Sequence, residues 1–257
     1  MSLNHIITAL DFKGKNVWVT GAGSGIGFEV AEAFSKLGAH VIGLDRVFPM
    51  ESKNIQCEAV DLSLNTEVQA LCERLLQTES RIDVLVHAAG VLRSGGLMQL
   101  CEDDWTVSMA CNASAIFYLS QQIAPLFQKQ ASGVMVTIAS NAATTSRLNM
   151  AAYCASKAAA LSLTNCIALE LAPYNIRCNT VSPGSTDTPM LREMASGPSG
   201  FSQLISGIPN QYKLGIPLQK IATTQEITQT VLFLASDMAS HITMQNIIVD
   251  GGATLNA

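Results

Sequence analysis

The sequence predicts an α/β domain, a doubly wound parallel sheet of about seven strands with helices on both faces. Two observations carry this expectation. Short apolar, β-branched runs alternate with longer stretches of helical period, which is the rhythm of right-handed βαβ crossovers. The runs also lack the in-and-out alternation of a half-exposed sheet, as strands buried on both faces should. A chain of 257 residues, 48% hydrophobic and 14% charged, can bury one large core, so size and composition agree with the pattern.

In chain order, strands are predicted at 15–20 (KNVWVT), 40–45 (HVIGLD), 55–60, 83–87 (DVLVH), 133–139 (GVMVTIA), 176–181 (IRCNTV) and 245–249 (QNIIV). Helices are predicted near 25–37, 65–80, 102–128, 151–172 and 224–236. Gly38 stands where a C′ glycine ends the first helix, and Asn65 and Thr223 or Thr224 are candidate N-caps. The rhythm breaks at 182–217, rich in Ser, Pro and Gly, which reads as a weakly structured substrate lid near 185–217 rather than a linker. Residues 1–11 are expected to form a loose N-terminal arm, and 12–257 a single domain.

Composition narrows the function classes. A formal net charge of −5 argues against nucleic acid or an anionic membrane surface as partner. No apolar run approaches the ~20 residues of a membrane helix, and MSLNHIITALDFKGK lacks the basic and apolar regions of a secretory leader. The seven cysteines (57, 72, 101, 111, 154, 166 and 178) are odd in number and show no C-x-x-C spacing, so reduced thiols and a cytoplasmic location are expected. His5, His40, His87 and His241 are scattered without metal-ligand spacing, and no metal site is expected.

TGAGSGIG, residues 20–27, follows the first predicted strand. G-x-G-x-x-G counted from Gly21 and Gly23 fails at Ile26. The spacing that fits is G-x-x-x-G-x-G on Gly21, Gly25 and Gly27, which leaves Gly23 as the variable glycine. Glycine here lets the backbone approach a pyrophosphate, while the following helix aims free N–H groups and its positive dipole end at it. An ordinary glycine turn is the competing reading. Asp45 narrows the choice. It ends the second strand 18 residues past Gly27, where a carboxylate accepts hydrogen bonds from the ribose hydroxyls of NAD and repels a 2′-phosphate. Ser24 offers no basic group to such a phosphate, whereas Arg46 is a contrary sign. NAD is therefore the expected cofactor of a Rossmann-type site.

In AAYCASKAAALSLTN, Tyr153 and Lys157 are four apart and share a helix face. A phenol of pKa about 10 is a poor base at neutral pH, and a nearby ammonium favours the phenolate. Such a tyrosine can take an alcohol proton as hydride leaves the carbon, and return it in the reverse direction. Alone, the pair fits a solvated helix face better, since Tyr and Lys at this spacing are common there.

Taken together and in order, these motifs resemble the short-chain dehydrogenase/reductase family, from about residue 12 to the C-terminus. T-G-x-x-x-G-x-G is matched by Thr20 to Gly27, with Ser24 and Ile26 inside the loop. The family's N-N-A-G appears as His87-Ala88-Ala89-Gly90 and departs at its first two positions. Tyr153 and Lys157 match Y-x-x-x-K, and Pro183-Gly184 with Thr186 and Thr188 match P-G-x-x-x-T. The resemblance implies that Asp61 contacts adenine, that Ala88, Ala89 and Gly90 line the cofactor, and that Pro183, Gly184, Thr186 and Thr188 meet the carboxamide. It further implies that Ser140 polarises the substrate oxygen, Tyr153 is the acid/base, and Lys157 lowers the tyrosine pKa and binds ribose. Asn112 would link Lys157 to solvent through water. Ser140 as an acyl-enzyme nucleophile is the competing idea, and no G-x-S-x-G surrounds it.

Within the family, GKNVWVTGAGSGIG, SPGSTDT, KLGIPL-x-KIA, LASDMASHIT and VDGGATLNA are similar to members that use NAD to oxidise one ring alcohol of a cyclohexadiene diol carboxylate. The ketone then tautomerises to a catechol acid used in siderophore biosynthesis. Such a substrate calls for a cation. Arg147, between Ser140 and Tyr153, is the first candidate for a bidentate carboxylate contact, with Arg93 and Lys213 as further ones. Met150 and Met190 are candidates for an apolar wall, with core packing as the competing role. Another short-chain oxidoreductase, such as a 3-oxoacyl carrier-protein reductase, stays open, as does a non-catalytic nucleotide-sensing or scaffold protein. The resemblance also implies a homotetramer, with helices around 102–128 and 151–172 at one interface and the C-terminal segment at another, and allows a transient contact with the enzyme that activates the product acid.

Overall fold

The computed structural model describes residues 10–49, 52–195 and 200–255. Most of the expected arm, residues 1–9, lies outside the described residues, as do 196–199 of the expected lid.

Seven strands form one parallel sheet in the order β3-β2-β1-β4-β5-β6-β7. They are β1 Asn16–Thr20, β2 His40–Asp45, β3 Ile55–Ala59, β4 Val84–His87, β5 Gly133–Ile138, β6 Ile176–Pro183 and β7 Asn246–Val249. β1 pairs with β2 on one side and with β4 on the other, Val19 opposite Gly43 and Val86. The winding direction therefore reverses between β1 and β4, and the carboxyl ends of the strands leave a crevice at that switch point.

The main helices are α1 Gly25–Lys36, α2 Asn65–Leu75, α3 Glu102–Met109, α4 Ala115–Gln130, α5 Ala151–Leu171, α6 Pro189–Met194, α7 Gly200–Ser206 and α8 Thr224–Ala235. Side chains alternate across each strand, so β1 feeds two cores. Val17 and Val19 pack with Val30 and Phe34 of α1 and with Val231 and Leu234 of α8. Trp18 points the other way, among Leu71 of α2, Ile123 and Phe127 of α4, and Leu171 of α5. Each such fully buried apolar side chain contributes about 1.5–3 kcal/mol. Phe12 closes the first core edge-on against Phe34, with ring centroids 4.8 Å apart. Burial on both faces explains why the inner strand runs show no polar alternation, whereas β3, at the sheet edge, is mostly exposed.

Four local expectations need correction. The N-cap of α2 is Leu64, in extended conformation, and not Asn65, which is the first helical residue. The turn is built upstream instead, by the Asp61 carboxylate accepting from the Ser63 N–H at 2.9 Å and its hydroxyl at 2.6 Å. The same helix ends at Leu75, short of residue 80. The helix expected over 102–128 is interrupted by a π-helical turn, Ala110–Ser114. The lid is more structured than expected. It holds α6, α7 and a 3₁₀ turn at Pro209–Gln211, of 6, 7 and 3 residues, pieces too short to show a helical period among Ser, Pro and Gly. Thr188 caps α6 by accepting from the Leu191 N–H, with Pro189 at the first helical position. Thr223 does cap α8, and Glu226 completes a reciprocal capping box with it.

Candidate active site

A cleft of about 660 Å³ opens over the carboxyl ends of the strands. One half is built on the glycine loop. Gly21 has φ +69°, and a Cβ on it would stand 2.7 Å from the Ala89 backbone, so the loop lies directly against the turn after β4. Thr20 secures that contact: its hydroxyl oxygen accepts from the Ala88 and Ala89 amides at 3.0 and 3.1 Å. Ser24, Gly25, Ile26 and Gly27 line the cleft where α1 begins. Gly23 is not a free position. A Cβ there would meet the Val47 carbonyl oxygen at 2.1 Å, because the loop also closes against the end of β2.

Asp45 is held by two backbone donors, the Gly23 N–H at 2.9 Å and the Arg46 N–H at 2.7 Å. Its carboxylate thus faces the loop in one orientation. The Arg46 guanidinium is turned toward Asp61, 3.9 Å from Oδ2. Burial would raise the Asp61 pKa, but the hydrogen bonds from Ser63 and the charge of Arg46 outweigh it and hold the carboxyl below its usual range. A loop whose missing side chains let backbone meet backbone, an open helix start and an oriented carboxylate fit a dinucleotide. Ala88, Ala89, Gly90, Pro183, Gly184, Thr186 and Thr188 line the same half.

Ser140, Tyr153 and Lys157 meet deeper in the cleft. Ser140 follows β5, and its Oγ accepts from the Ala142 N–H at 3.1 Å. With that oxygen engaged, the hydroxyl hydrogen is free to donate. Tyr153 lies in the first turn of α5, where the helix dipole favours an anion. Burial pushes its phenol above the usual value, and a hydrogen bond with Ser140 opposes that shift. Lys157, one turn later, is buried and donates to the Ile138 carbonyl at 3.0 Å. Its Nζ is 5.8 Å from the Tyr153 ring centroid. Burial lowers the lysine pKa to about 8, so most of it remains charged at neutral pH. The arrangement can transfer a proton to or from an oxygen held by Ser140 and Tyr153.

The outer part of the cleft carries Arg147 and Lys213, beside Leu148, Met150, Met190 and Leu214. Both cations are half-buried. Burial depresses both pKa values, that of Lys213 to about 8, and the charge of Arg147 adds to the shift on Lys213. Neither cation has an ion pair among the described residues, so the cleft offers two desolvated positive charges to an anion.

A sequence profile described as Enoyl-(Acyl carrier protein) reductase matches residues 21–254. A 2,3-dihydro-2,3-dihydroxybenzoate dehydrogenase of Escherichia coli (strain K12) is 51% identical over 248 residues, covering 96% of this chain and 100% of that protein. An enzyme of the same name from Bacillus subtilis (strain 168) is 39% identical over 259 residues, covering 97% and 99%. Among solved structures, the aldohexose dehydrogenase of Thermoplasma acidophilum superposes with a TM-score of 0.88 at 33% identity, covering 96% of each chain. The chain belongs to the short-chain dehydrogenase/reductase family.

Two expected site residues of this short-chain dehydrogenase stand elsewhere than the cleft wall. Arg93 is exposed and outside the cleft, with its charge toward Asp104. The loop after β4 turns its side chain outward, so Arg93 does not line the cleft. Asn112 sits in the π turn behind the wall, with its amide committed: Oδ1 accepts from the Val91 N–H, and Nδ2 donates to the Val91 carbonyl and to Ser156 Oγ. It anchors the loop after β4 to α5 and makes no hydrogen bond to Lys157. Gly90 separates them, since a Cβ on it would stand 3.1 Å from Asn112 Oδ1 and 3.2 Å from Lys157 Nζ. π turns of this kind are frequent at functional sites, and no local pattern marks this one.

His87, which replaces the family asparagine, is buried with Nε2 3.1 Å from Ser120 Oγ. Burial pushes its pKa down to about 3, so it stays neutral and faces the core rather than the cleft. Sequence reasoning also missed Asn141 and Asp250, joined across 109 residues by a buried hydrogen bond, and Cys111, which lines the cleft. All seven cysteines are free thiols. Among the described residues no group of three His, Cys, Asp or Glu could hold a metal, and no helix is long and apolar enough to cross a membrane.

Proposed function

We propose that this enzyme oxidises 2,3-dihydro-2,3-dihydroxybenzoate to 2,3-dihydroxybenzoate with NAD, a step of catechol-siderophore biosynthesis. The observation that carries the reading is the placement of two cations without an ion pair among the described residues, Arg147 and Lys213, in the same cleft as Ser140, Tyr153 and Lys157. A ring carrying a carboxylate and an adjacent alcohol satisfies both sets at once. The relatives named for this reaction span nearly the whole chain. Asp45, fixed by two amides, and Arg46, turned to Asp61, favour NAD over NADP.

A nicotinamide dinucleotide bound along the glycine loop supplies the hydride acceptor. Ser140 donates to the substrate oxygen and holds it beside Tyr153. Tyr153, as phenolate, takes the hydroxyl proton while the carbon becomes a ketone, and the Lys157 ammonium favours that phenolate. Arg147 and Lys213 hold the carboxylate, and Met150 and Met190 cover the ring. The ketone then tautomerises to the aromatic acid, which draws the reaction forward.

A homotetramer in the cytoplasm accompanies this reading, supported by half-exposed Trp105 and Phe117 and exposed Leu169 on α3, α4 and α5. Sedimentation would test the assembly, and a monomer would refute it. Transient docking of the enzyme that activates the product acid is also proposed, and co-sedimentation of the two would test it. For the activity, NADH formation is followed with the dihydrodiol acid against a panel of alcohols and 3-oxoacyl substrates. Preference for the dihydrodiol acid is expected. A better 3-oxoacyl substrate would reassign the enzyme, and NAD binding without turnover of any substrate would favour a nucleotide sensor.

A further inference from the structure

Asp250 stands where three segments distant in sequence converge. Its carboxylate is 9% exposed and accepts from four donors: Asn141 Nδ2 at 3.2 Å, the Thr254 N–H at 3.0 Å, Thr254 Oγ1 at 2.7 Å and the Gly252 N–H at 2.9 Å. Gly184 leaves it room, since a Cβ there would fall 2.6 Å from that of Asp250. Asn141 follows Ser140 and opens the 3₁₀ turn Asn141–Ala143, whose Ala142 amide donates to Ser140 Oγ. The turn after Asp250 also holds the end of the lid, through the Leu218 N–H to the Gly251 carbonyl at 3.2 Å.

We propose that Asp250 is a positioning residue for the proton-transfer pair: through Asn141 it fixes the turn that aims the Ser140 hydroxyl at Tyr153, and it joins that turn to the end of the lid. This rests on the roles given to Ser140 and Tyr153 under Proposed function. A carboxylate can only accept, so it admits one orientation of the Asn141 amide, with Nδ2 toward it. That orientation sets the first residue of the 3₁₀ turn, and the turn sets the distance between the Ala142 amide and Ser140 Oγ. The three bonds to Gly252 and Thr254 are local to the C-terminal turn and would serve a turn alone. The bond to Asn141 has no part in that turn, and it reaches the residue beside the catalytic serine.

Asn141→Ala separates the two roles because it leaves the three local bonds of Asp250 in place. Full-length Asn141→Ala and Asp250→Asn are compared with wild type by melting temperature, NAD binding, kcat, KM and the pH dependence of kcat. The phenolate absorbance of Tyr153 is titrated without substrate, as the difference from Tyr153→Phe. For Asn141→Ala, NAD affinity should match wild type and melting should drop by no more than a few degrees, the cost of about one buried hydrogen bond, while kcat falls by on the order of 100-fold, the loss expected from a misplacement of about 1 Å. With the Ser140 donor misaligned, the phenol should titrate about one pH unit higher, and the acid limb of kcat should move with it. The two changes combined should lower kcat no further than Asp250→Asn alone. Wild-type kcat and an unmoved phenol in Asn141→Ala would overturn the proposal, as would additive losses in the double variant. The phenol titration needs no substrate, so a failure of the dihydrodiol acid to react would sink the substrate reading without touching this one.

Discussion

Arg147→Ala tests the charge of the substrate directly. Arg147 and Lys213 are half-buried in one cleft, and burial disfavours the charge of each. A charge-assisted guanidinium–carboxylate contact contributes about 1.5–3 kcal/mol, and partial exposure places Arg147 toward the lower part of that range, about 2 kcal/mol. At about 1.4 kcal/mol per tenfold, KM for the carboxylate substrate should rise roughly 30-fold. The carboxylate contact is the same in the ground and transition states, so kcat should change little. Lys213 supplies a second readout. Its pKa is lowered to about 8 by burial and by the charge of Arg147. Its hold on a carboxylate is therefore full below that value and is lost as pH rises through it. Removing Arg147 lifts the lysine pKa toward the ordinary range, so in the variant the alkaline rise in KM should move to higher pH. The assay is the initial rate of NADH formation across pH, with the dihydrodiol acid and its uncharged amide. Unchanged KM for the acid, or an equal rise for the amide, would remove Arg147 from this role.

Three further outcomes are expected. Asp45→Ser should lose most of the preference for NAD, read as the ratio of kcat/KM with the two cofactors; an undiminished ratio would refute the role of Asp45. Gly23→Ala should weaken NAD binding at least tenfold by direct titration, because a Cβ 2.1 Å from the Val47 oxygen forces the loop away from β2, and wild-type affinity would show Gly23 to be free after all. His87 is held near pKa 3 in the fold against about 6.5 when unfolded, so the unfolded chain takes up a proton that the folded one refuses. Stability is then complete above about pH 6.5 and falls by about 2 kcal/mol by pH 5, a loss that His87→Asn should abolish in denaturant titrations at the two pH values. An equal acid loss in that variant would place the destabilisation elsewhere.

The legible parts of the molecule were those encoded over short stretches. Strands buried on both faces announce themselves as apolar runs, and the strand boundaries fell within two residues of expectation. Asp45 follows the loop at a set spacing because both belong to one βαβ unit, and Tyr153 and Lys157 share a helix face by arithmetic. What escaped depends on side-chain direction in loops or on contacts between distant segments. Arg93 and Arg147 are equivalent as letters, and only the course of the loop after β4 sends one outward. Gly23 passed as variable because its constraint comes from Val47, 24 residues on, and not from the loop. The short lid helices are set by a cap and a proline, with too few residues for periodicity to register.

The cleft is also a charge arrangement that composition conceals. The chain carries a formal net charge of −5, yet Lys157, Arg147 and Lys213 all turn toward one cavity and all have pKa values lowered by burial. Each is a cation drawn out of water with no ion pair among the described residues, although Arg147 feels the charge of Asp250, and this is unfavourable unless something anionic arrives. Acidic residues at the rim are directed elsewhere: Asp45 to backbone amides, Asp61 to Ser63, Asp187 to Arg192. The fold thus gathers these cations, free of ion pairs among the described residues, in the cleft where the proposed reaction puts a phenolate and a substrate carboxylate. Binding an anion there relieves three desolvated charges at once, which ties recognition of the carboxylate to the electrostatics that make Tyr153 a base.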